Sequence, residues 1–177
     1  MPIWEFTVVA SGLDPAAPGF EDRFFAAGCD DATVAFQRGA IVLDFARSAR
    51  SFASALASAV RDVGRAGARV ERVEPDPLVS LSDIAVRAGL SRAAISHYAL
   101  GNRGEGFPAP VVRVTTESPL WDWAEVAGWM RRQGKAKVDD AAVLQARQVK
   151  ACNDTLATKR RRRPDRTSRR RKTRVAA

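Results

Sequence analysis

Leu81-Ser82-Asp83-Ile84-Ala85-Val86-Arg87-Ala88-Gly89-Leu90 runs directly into Ser91-Arg92-Ala93-Ala94-Ile95-Ser96-His97-Tyr98-Ala99-Leu100. Apolar residues Leu81, Ile84, Ala88 and Leu90, with Ile95, Tyr98 and Ala99, recur at helical spacing on both sides of Gly89. Two short helices that cross steeply need a small residue at the crossing and a residue that tolerates positive φ in the turn. Ala85 supplies the first and Gly89 the second. Ser80 or Ser82 suits the cap of the first helix, and Ser91 that of the second.

The chain downstream is patterned too. Phe107-Pro108-Ala109-Pro110 leads into Val111-Val112-Arg113-Val114, a turn at Glu117-Ser118-Pro119, and Leu120-Trp121, which predicts a short hairpin. Asp122 with Glu125 three residues on predicts a capped helix start. Trp123, Val126, Ala127 and Met130 then lie on one buried face, flanked by Trp129.

A helical pair with the spacing Ala85, Gly89, Ile95, then Phe-Pro-x-Pro, a hairpin and a Trp-rich helix, resembles the MerR-type winged helix-turn-helix. It is especially similar to the small excisionase and prophage-regulator relatives. The resemblance covers about residues 78–133; no MerR dimerisation helix or effector domain is evident beyond it. It implies that Ser91–Leu100 lies in the major groove of duplex DNA. The outward residues would be Arg92, Ala93, Ser96 and His97, with Arg92 toward guanine and Ser96 toward a base or phosphate. Ser91 at the helix start would bring backbone N–H groups to a phosphate. Arg103 in the Gly101–Gly104 loop and Arg113 in the wing would contact the backbone or the minor groove.

Working toward the N-terminus, residues 3–10 read as a strand, 19–27 as a helix carrying Phe20, Phe24 and Phe25 on one face, and 32–37 as a strand. After an Arg38-Gly39 turn come a strand over 41–46, a helix over 51–65 and a strand over 69–73. That order, β-α-β-β-α-β, predicts a ferredoxin-like unit. The fold class is therefore α+β: a ferredoxin-like domain over 1–76, a winged helix-turn-helix over 77–135, a C-terminal helix over 136–158 and a disordered Arg-rich tail over 159–177.

Charge separates these pieces. The chain of 177 residues has a net charge of +9. Residues 159–174 hold 11 Lys/Arg against one acid, Asp165, which leaves 18 basic and 19 acidic residues in 1–158. Residues 1–76 carry 8 basic and 11 acidic residues, so this unit suits a protein partner, a ligand or a second copy better than nucleic acid. The tail residues Lys159, Arg160, Arg161, Arg162, Arg163, Arg169, Arg170 and Arg171 would add sequence-independent phosphate affinity.

Other chemistries are poorly served. No apolar run approaches the ~18 residues of a membrane span, and the start lacks the basic and apolar regions of a secretory signal. The two cysteines, Cys29 and Cys152, lie far apart and exclude a disulfide-rich scaffold or a cysteine zinc finger. His97 is the single histidine and reads as a surface residue; no metal or cofactor is expected. Tyr98 and the tryptophans at 121, 123 and 129 read as core, and Trp4 as sheet core. Asp14, Glu21, Asp22, Asp30 and Asp31 read as turn and cap residues, not a catalytic set. No phosphate-binding glycine loop, nucleophile elbow or Cys-x-x-Cys is present. The expectation is a cytoplasmic, nucleoid-associated, non-enzymatic regulator that binds double-stranded DNA. The alternatives are a protein-interaction module, antitoxin-like or adaptor, and an architectural or excision-directing DNA-binding protein.

Overall fold

The computed structural model describes residues 1–134 and 137–162. Its first four strands are β1 (Ile3–Ser11), β2 (Ala32–Gln37), β3 (Ala40–Ser48) and β4 (Arg69–Glu74). They form one antiparallel sheet in the order β2-β3-β1-β4. Helix α1 (Phe20–Ala26) follows β1 and α2 (Phe52–Arg65) follows β3. The alternation of the strands decides which face is covered: Phe6, Val8 and Ala10 pair with Phe45, Leu43 and Ile41, and all six are buried. The β2–β3 turn has Arg38 at φ 51° and Gly39 at φ 81°, the two positive angles that a two-residue hairpin of this twist requires.

Helix α2 starts at a reciprocal cap in which Ser51 Oγ accepts from Ser54 N and Ser54 Oγ accepts from Ser51 N, each at 3.2 Å. It buries Phe52, Ala55, Leu56, Ala59 and Val63 against the sheet. In α1 only Phe24 is buried. Phe25, expected on the same face, is 70% exposed, because one step of a helix turns a side chain by about 100°.

The second unit contains β5 (Leu78–Val79), α3 (Leu81–Ala88), α4 (Arg92–Ala99), β6 (Trp121–Asp122) and α5 (Trp123–Gln133). Strand β5 pairs with β6, and Val112 bridges to Leu120. The expected hairpin is thus cut short. A turn begins after Arg113, and Trp121 pairs with Val79 in place of the segment 111–114.

Helix α6 (Asp140–Arg162) ties the two units together. Val143 and Ala146 enter the core of the second unit, while Val149, Cys152 and Leu156 pack against the first. The carboxamide of Asn153 accepts from Val73 N at 2.7 Å and donates to Val73 O at 2.9 Å, which covers the edge of β4. Lys150 pairs with the buried Asp122. The expected end of this helix at residue 158 is corrected: it continues through Lys159, Arg160, Arg161 and Arg162, where Arg160 finds a carboxylate partner in Glu71 at 3.2 Å. The expected disorder over 163–177 concerns residues outside those described. The described residues form an α+β fold with one four-stranded antiparallel sheet and six helices, and none of these helices is long and apolar enough to cross a membrane.

Candidate nucleic-acid interface

The local sequence builds the helical pair in steps. Ser80 caps α3: its Oγ accepts from Asp83 N at 3.2 Å, and the Asp83 carboxylate accepts from Ser80 N and Oγ at 2.9 and 2.7 Å. These bonds hold the Asp83 carboxyl below its ordinary range. Helix α3 ends at Gly89, whose left-handed φ of 65° and ψ of 34° reverse the chain, with Leu90 N donating to Ala85 O at 2.9 Å. Ser91 then caps α4 by accepting from Ala94 N at 3.2 Å. Ala85, Ile84, Ala88, Ile95 and Tyr98 are all buried, as their spacing predicts.

Three aromatic rings brace α4 from behind. The Trp129 centroid lies 5.1 Å from both Tyr98 and Phe107, edge-on to each. Trp129 Nε1 donates to Glu105 O at 3.0 Å, and Trp121 Nε1 donates to Pro108 O at 3.1 Å. The two indoles thereby fix the long segment between α4 and β6. Trp121, Trp123 and Trp129 are all buried, so they serve as core and offer no stacking platform to a base.

The expected contact residues up to Arg162 fall within the described part of the chain. Arg92, Ala93 and His97 are exposed along α4, and Ser96 is half-buried beside them. Ser91 is exposed, with its hydroxyl engaged in the cap. Arg103 is exposed in the loop after α4. Arg113 is exposed at the root of the wing turn with φ 55°, and its carbonyl accepts from Thr116 N and Oγ1. Ser91, Arg92, Ala93, Ser96 and His97 therefore share one helix, while Arg103 and Arg113 stand on separate loops. Lys159, Arg160 and Arg161 are exposed on the last turns of α6, with Arg160 turned to the first unit through Glu71. Arg163, Arg169, Arg170 and Arg171 lie outside the described residues.

Two features escape the sequence reading. Between α5 and α6 lies a cavity of about 360 Å³ lined by Gly128, Arg131, Arg132, Asp140, Leu144 and Arg147, among others. Arg131 is held there by Asp140 through two hydrogen bonds of 2.8 and 3.1 Å. Arg132 Nη1 and Arg147 Nη2 both approach the space beside Gly128, 3.6 and 3.8 Å from where a Cβ would stand. The Arg131-Arg132 pair is visible in the sequence, but its meeting with Arg147 depends on how α6 folds back. The second feature is Arg87 on α3. Its guanidinium stacks 5.4 Å from the Trp123 ring, and its Nη1 is buried without a hydrogen-bond partner among the described residues. Burial depresses its basicity despite the charges of Asp83 and Asp76.

Among the described residues, no three His, Cys, Asp or Glu side chains gather as a metal site. Two of the acids near the first helix are engaged locally. Asp14 accepts from Ala16 N in a turn, and Asp31 binds Arg47. Comparison with known protein families, curated proteins and solved structures finds no match to the chain.

Proposed function

We propose that the chain is a non-enzymatic, sequence-specific binder of double-stranded DNA that regulates transcription in the cytoplasm, at the nucleoid. In this reading residues 78–133 are a winged helix-turn-helix of the MerR-like, excisionase type, and α4 enters the major groove. The observation that carries it is the free face of α4: Arg92, Ala93 and His97 stand in solvent on a helix whose opposite face is locked by Ile95 and Tyr98. Rigid support of this kind is what base readout requires, since a bidentate Arg–guanine contact tolerates little misplacement. The Arg-rich C-terminal segment contributes phosphate affinity that weakens steeply with salt. We read the four-stranded unit as ferredoxin-like, on its strand order and its two crossing helices, and as the module that holds a second copy, a partner or a ligand.

The test is capture of sheared genomic DNA by the full chain, followed by sequencing, beside an Arg92→Ala variant. Wild type enriches one short motif. The variant loses about 1–3 kcal/mol on that motif and little on random DNA. Equal losses on both sink the base-reading role of Arg92, and enrichment of no motif by the wild type sinks the regulator reading.

A second reading, a protein-interaction module, is favoured by the open sheet face. There Glu5, Thr7, Asp44, Ala46, Glu74 and Pro75 line an acidic hollow of about 600 Å³. A basic protein bound stoichiometrically there, and lost on Asp44→Lys, supports that reading; a chain that binds its DNA motif with unchanged affinity after Asp44→Lys and carries no such partner counts against it.

A further inference from the structure

The sheet has two edges, and they are treated differently. At β4 the backbone of Val73 is bonded by Asn153, Glu71 is bonded by Arg160, and a bulge interrupts the β1–β4 register between Val9 and Ala10. These are the devices by which proteins blunt a strand edge. At β2 none of them is present. Residues Ala32–Gln37 contain no charge, no proline and no bulge, and among the described residues only β3 and, at Ala32 N, the carbonyl of Cys29 are bonded to the strand's backbone.

We propose that the β2 edge is a homodimer interface, in which two copies pair β2 with β2 antiparallel about a twofold axis through Val34 and join their sheets into one of eight strands. The pattern of backbone bonds sets the register. Ala46 N donates to Asp31 O at 3.0 Å, so Asp31 turns its backbone toward β3, and with the two-residue period of a strand so do Thr33, Ala35 and Gln37. The backbone groups of Val34 and Phe36, and the carbonyl of Ala32, face outward. Ala32 N is already bonded to Cys29 O. An antiparallel twofold through Val34 matches these outward residues with one another: Val34 with Val34 of the second copy, and Ala32 with Phe36.

Side chains fit the same register. Phe36 is 48% exposed, and its partner position holds the small Ala32. Charges sit only beyond the two ends of the strand: Asp31, which is bound by Arg47, then Asp30 at one end, and Arg38 at the other; Asp30 and Arg38 are exposed, and neither has an ion-pair partner among the described residues. The twofold sets Asp30 of each copy opposite Arg38 of the other. A strand with unlike charges at its ends is complementary to itself when antiparallel, and repels itself when parallel. This deepens the assembly role given above to the first unit. It stands apart from DNA recognition, because neither its residues nor its test involves DNA.

Sedimentation of the full chain over roughly a hundredfold range of concentration tests it, since a dimer dissociates on dilution by mass action. Wild type is expected to pass from dimer to monomer. Asp30→Arg alone sets four arginines around the interface, and Arg38→Asp alone sets four acids; each raises the dimer dissociation constant about tenfold or more. The double variant Asp30→Arg with Arg38→Asp exchanges the charges and restores wild-type affinity. Asp is tolerated at the positive φ of position 38. A chain that stays monomeric throughout overturns the proposal, as does a dimer that ignores the single changes or is not restored by the double one. Hydrogen exchange of the wild type reads the same edge without substitution. Val34 and Phe36 amides protected only at dimer concentrations support the pairing, and amides exchanging freely in the dimer overturn it.

Discussion

The two units of this chain keep their loops and helices in place by different means. In the sheet unit, backbone ladders of up to eight paired residues hold the strands, and the buried core is built of aliphatic and Phe side chains with Cys29, while Trp4 at its margin donates its indole N–H to Ala49 O at 3.1 Å. In the helical unit, the ladders shrink to two-residue strands and a single bridge, and the indole N–H groups of Trp121 and Trp129 do the joining by reaching loop carbonyls. The contrast extends to buried charge. Arg47, 6% exposed, spends all five of its donors: two on Asp31 and one each on Asp62, Ser58 and Gly28 O, at 2.7–3.1 Å. Arg87 stacks on Trp123 with its Nη1 buried and without a hydrogen-bond partner among the described residues. A guanidinium with every donor bound fixes its surroundings; one with a free buried nitrogen is a local cost that the packing around it tolerates.

The largest expected effect breaks the satisfied case. Arg47→Met strips the buried Oδ2 of Asp62 of its partner, leaving only the largely exposed Arg61 and Arg65 on Oδ1 at 3.3 and 2.8 Å, and leaves Asp31 half-buried with its two bonds gone. The sheet unit should lose about 3–5 kcal/mol, read as a fall in the urea midpoint with unchanged slope. A loss below about 1 kcal/mol means that solvent enters and rehydrates the carboxylates, and the clamp is dispensable.

The next effect concerns the thiol beside that clamp. Burial pushes the Cys29 thiol up from 9.0 to about 11, with Arg47 opposing and Asp62 and Asp31 assisting. Between those two pH values the unfolded chain has released the proton and the native chain has kept it. Stability is therefore complete below pH 9 and falls as pH rises toward about 11. Wild type should lose about 3 kcal/mol more than Cys29→Ala across this window. Equal losses in the two proteins remove Cys29 from the account.

The helical unit is tested at Gly104. This residue has φ 70°, and a Cβ there would stand 2.9 Å from two atoms of the Trp129 ring and 3.0 Å from Tyr98. Gly104→Ala combines left-handed strain with displacement of the aromatic brace and should cost about 2 kcal/mol or more. Its signature is local: amides of the 101–110 segment should exchange faster while those of β1 and β3 do not change. Uniform acceleration would mean that the two units unfold as one.

The same contrast decides what could be read in the residues beforehand. The order of six elements in the first unit follows from period-2 and period-3.6 patterns, because each buried face repeats in the sequence. The turn at Gly89 and the caps at Ser80 and Ser91 were equally visible, since they depend on neighbours within three or four residues. Contacts made across the fold left no such trace. Asp31 reads as a turn residue until β3 brings Arg47 to it, and Asp122, which caps α5 by accepting from Ala124 N at 2.8 Å, gains Lys150 only because α6 folds back. Lys159–Arg162 reads as tail because charge runs favour disorder, yet the helix continues where Glu71 supplies a partner. For the site, the resemblance implies Arg92, Ala93, Ser96 and His97 as one outward set, of which Arg92, Ala93 and His97 are exposed and Ser96 is half-buried. Nothing local announced that Arg132 and Arg147 meet beside Gly128.

The smallest expected effect sharpens the comparison of the two arginines. Met has nearly the length of the aliphatic part of Arg and no polar atom that demands a partner. At position 87 the change gives up the stacking on Trp123, worth about 0.5–1 kcal/mol, and the distant attraction of Asp83 and Asp76. It gains by removing a nitrogen that burial leaves unbonded, a burden of about 1–3 kcal/mol. The two should nearly cancel, so Arg87→Met ought to shift stability by less than about 1 kcal/mol, in either direction. The same substitution at position 47 has no such offset, because every nitrogen it deletes was bonded. Urea unfolding of the two variants side by side isolates the difference: if Arg87→Met costs as much as Arg47→Met, Arg87 is bonded in solution, and the contrast between the two units in handling buried charge fails.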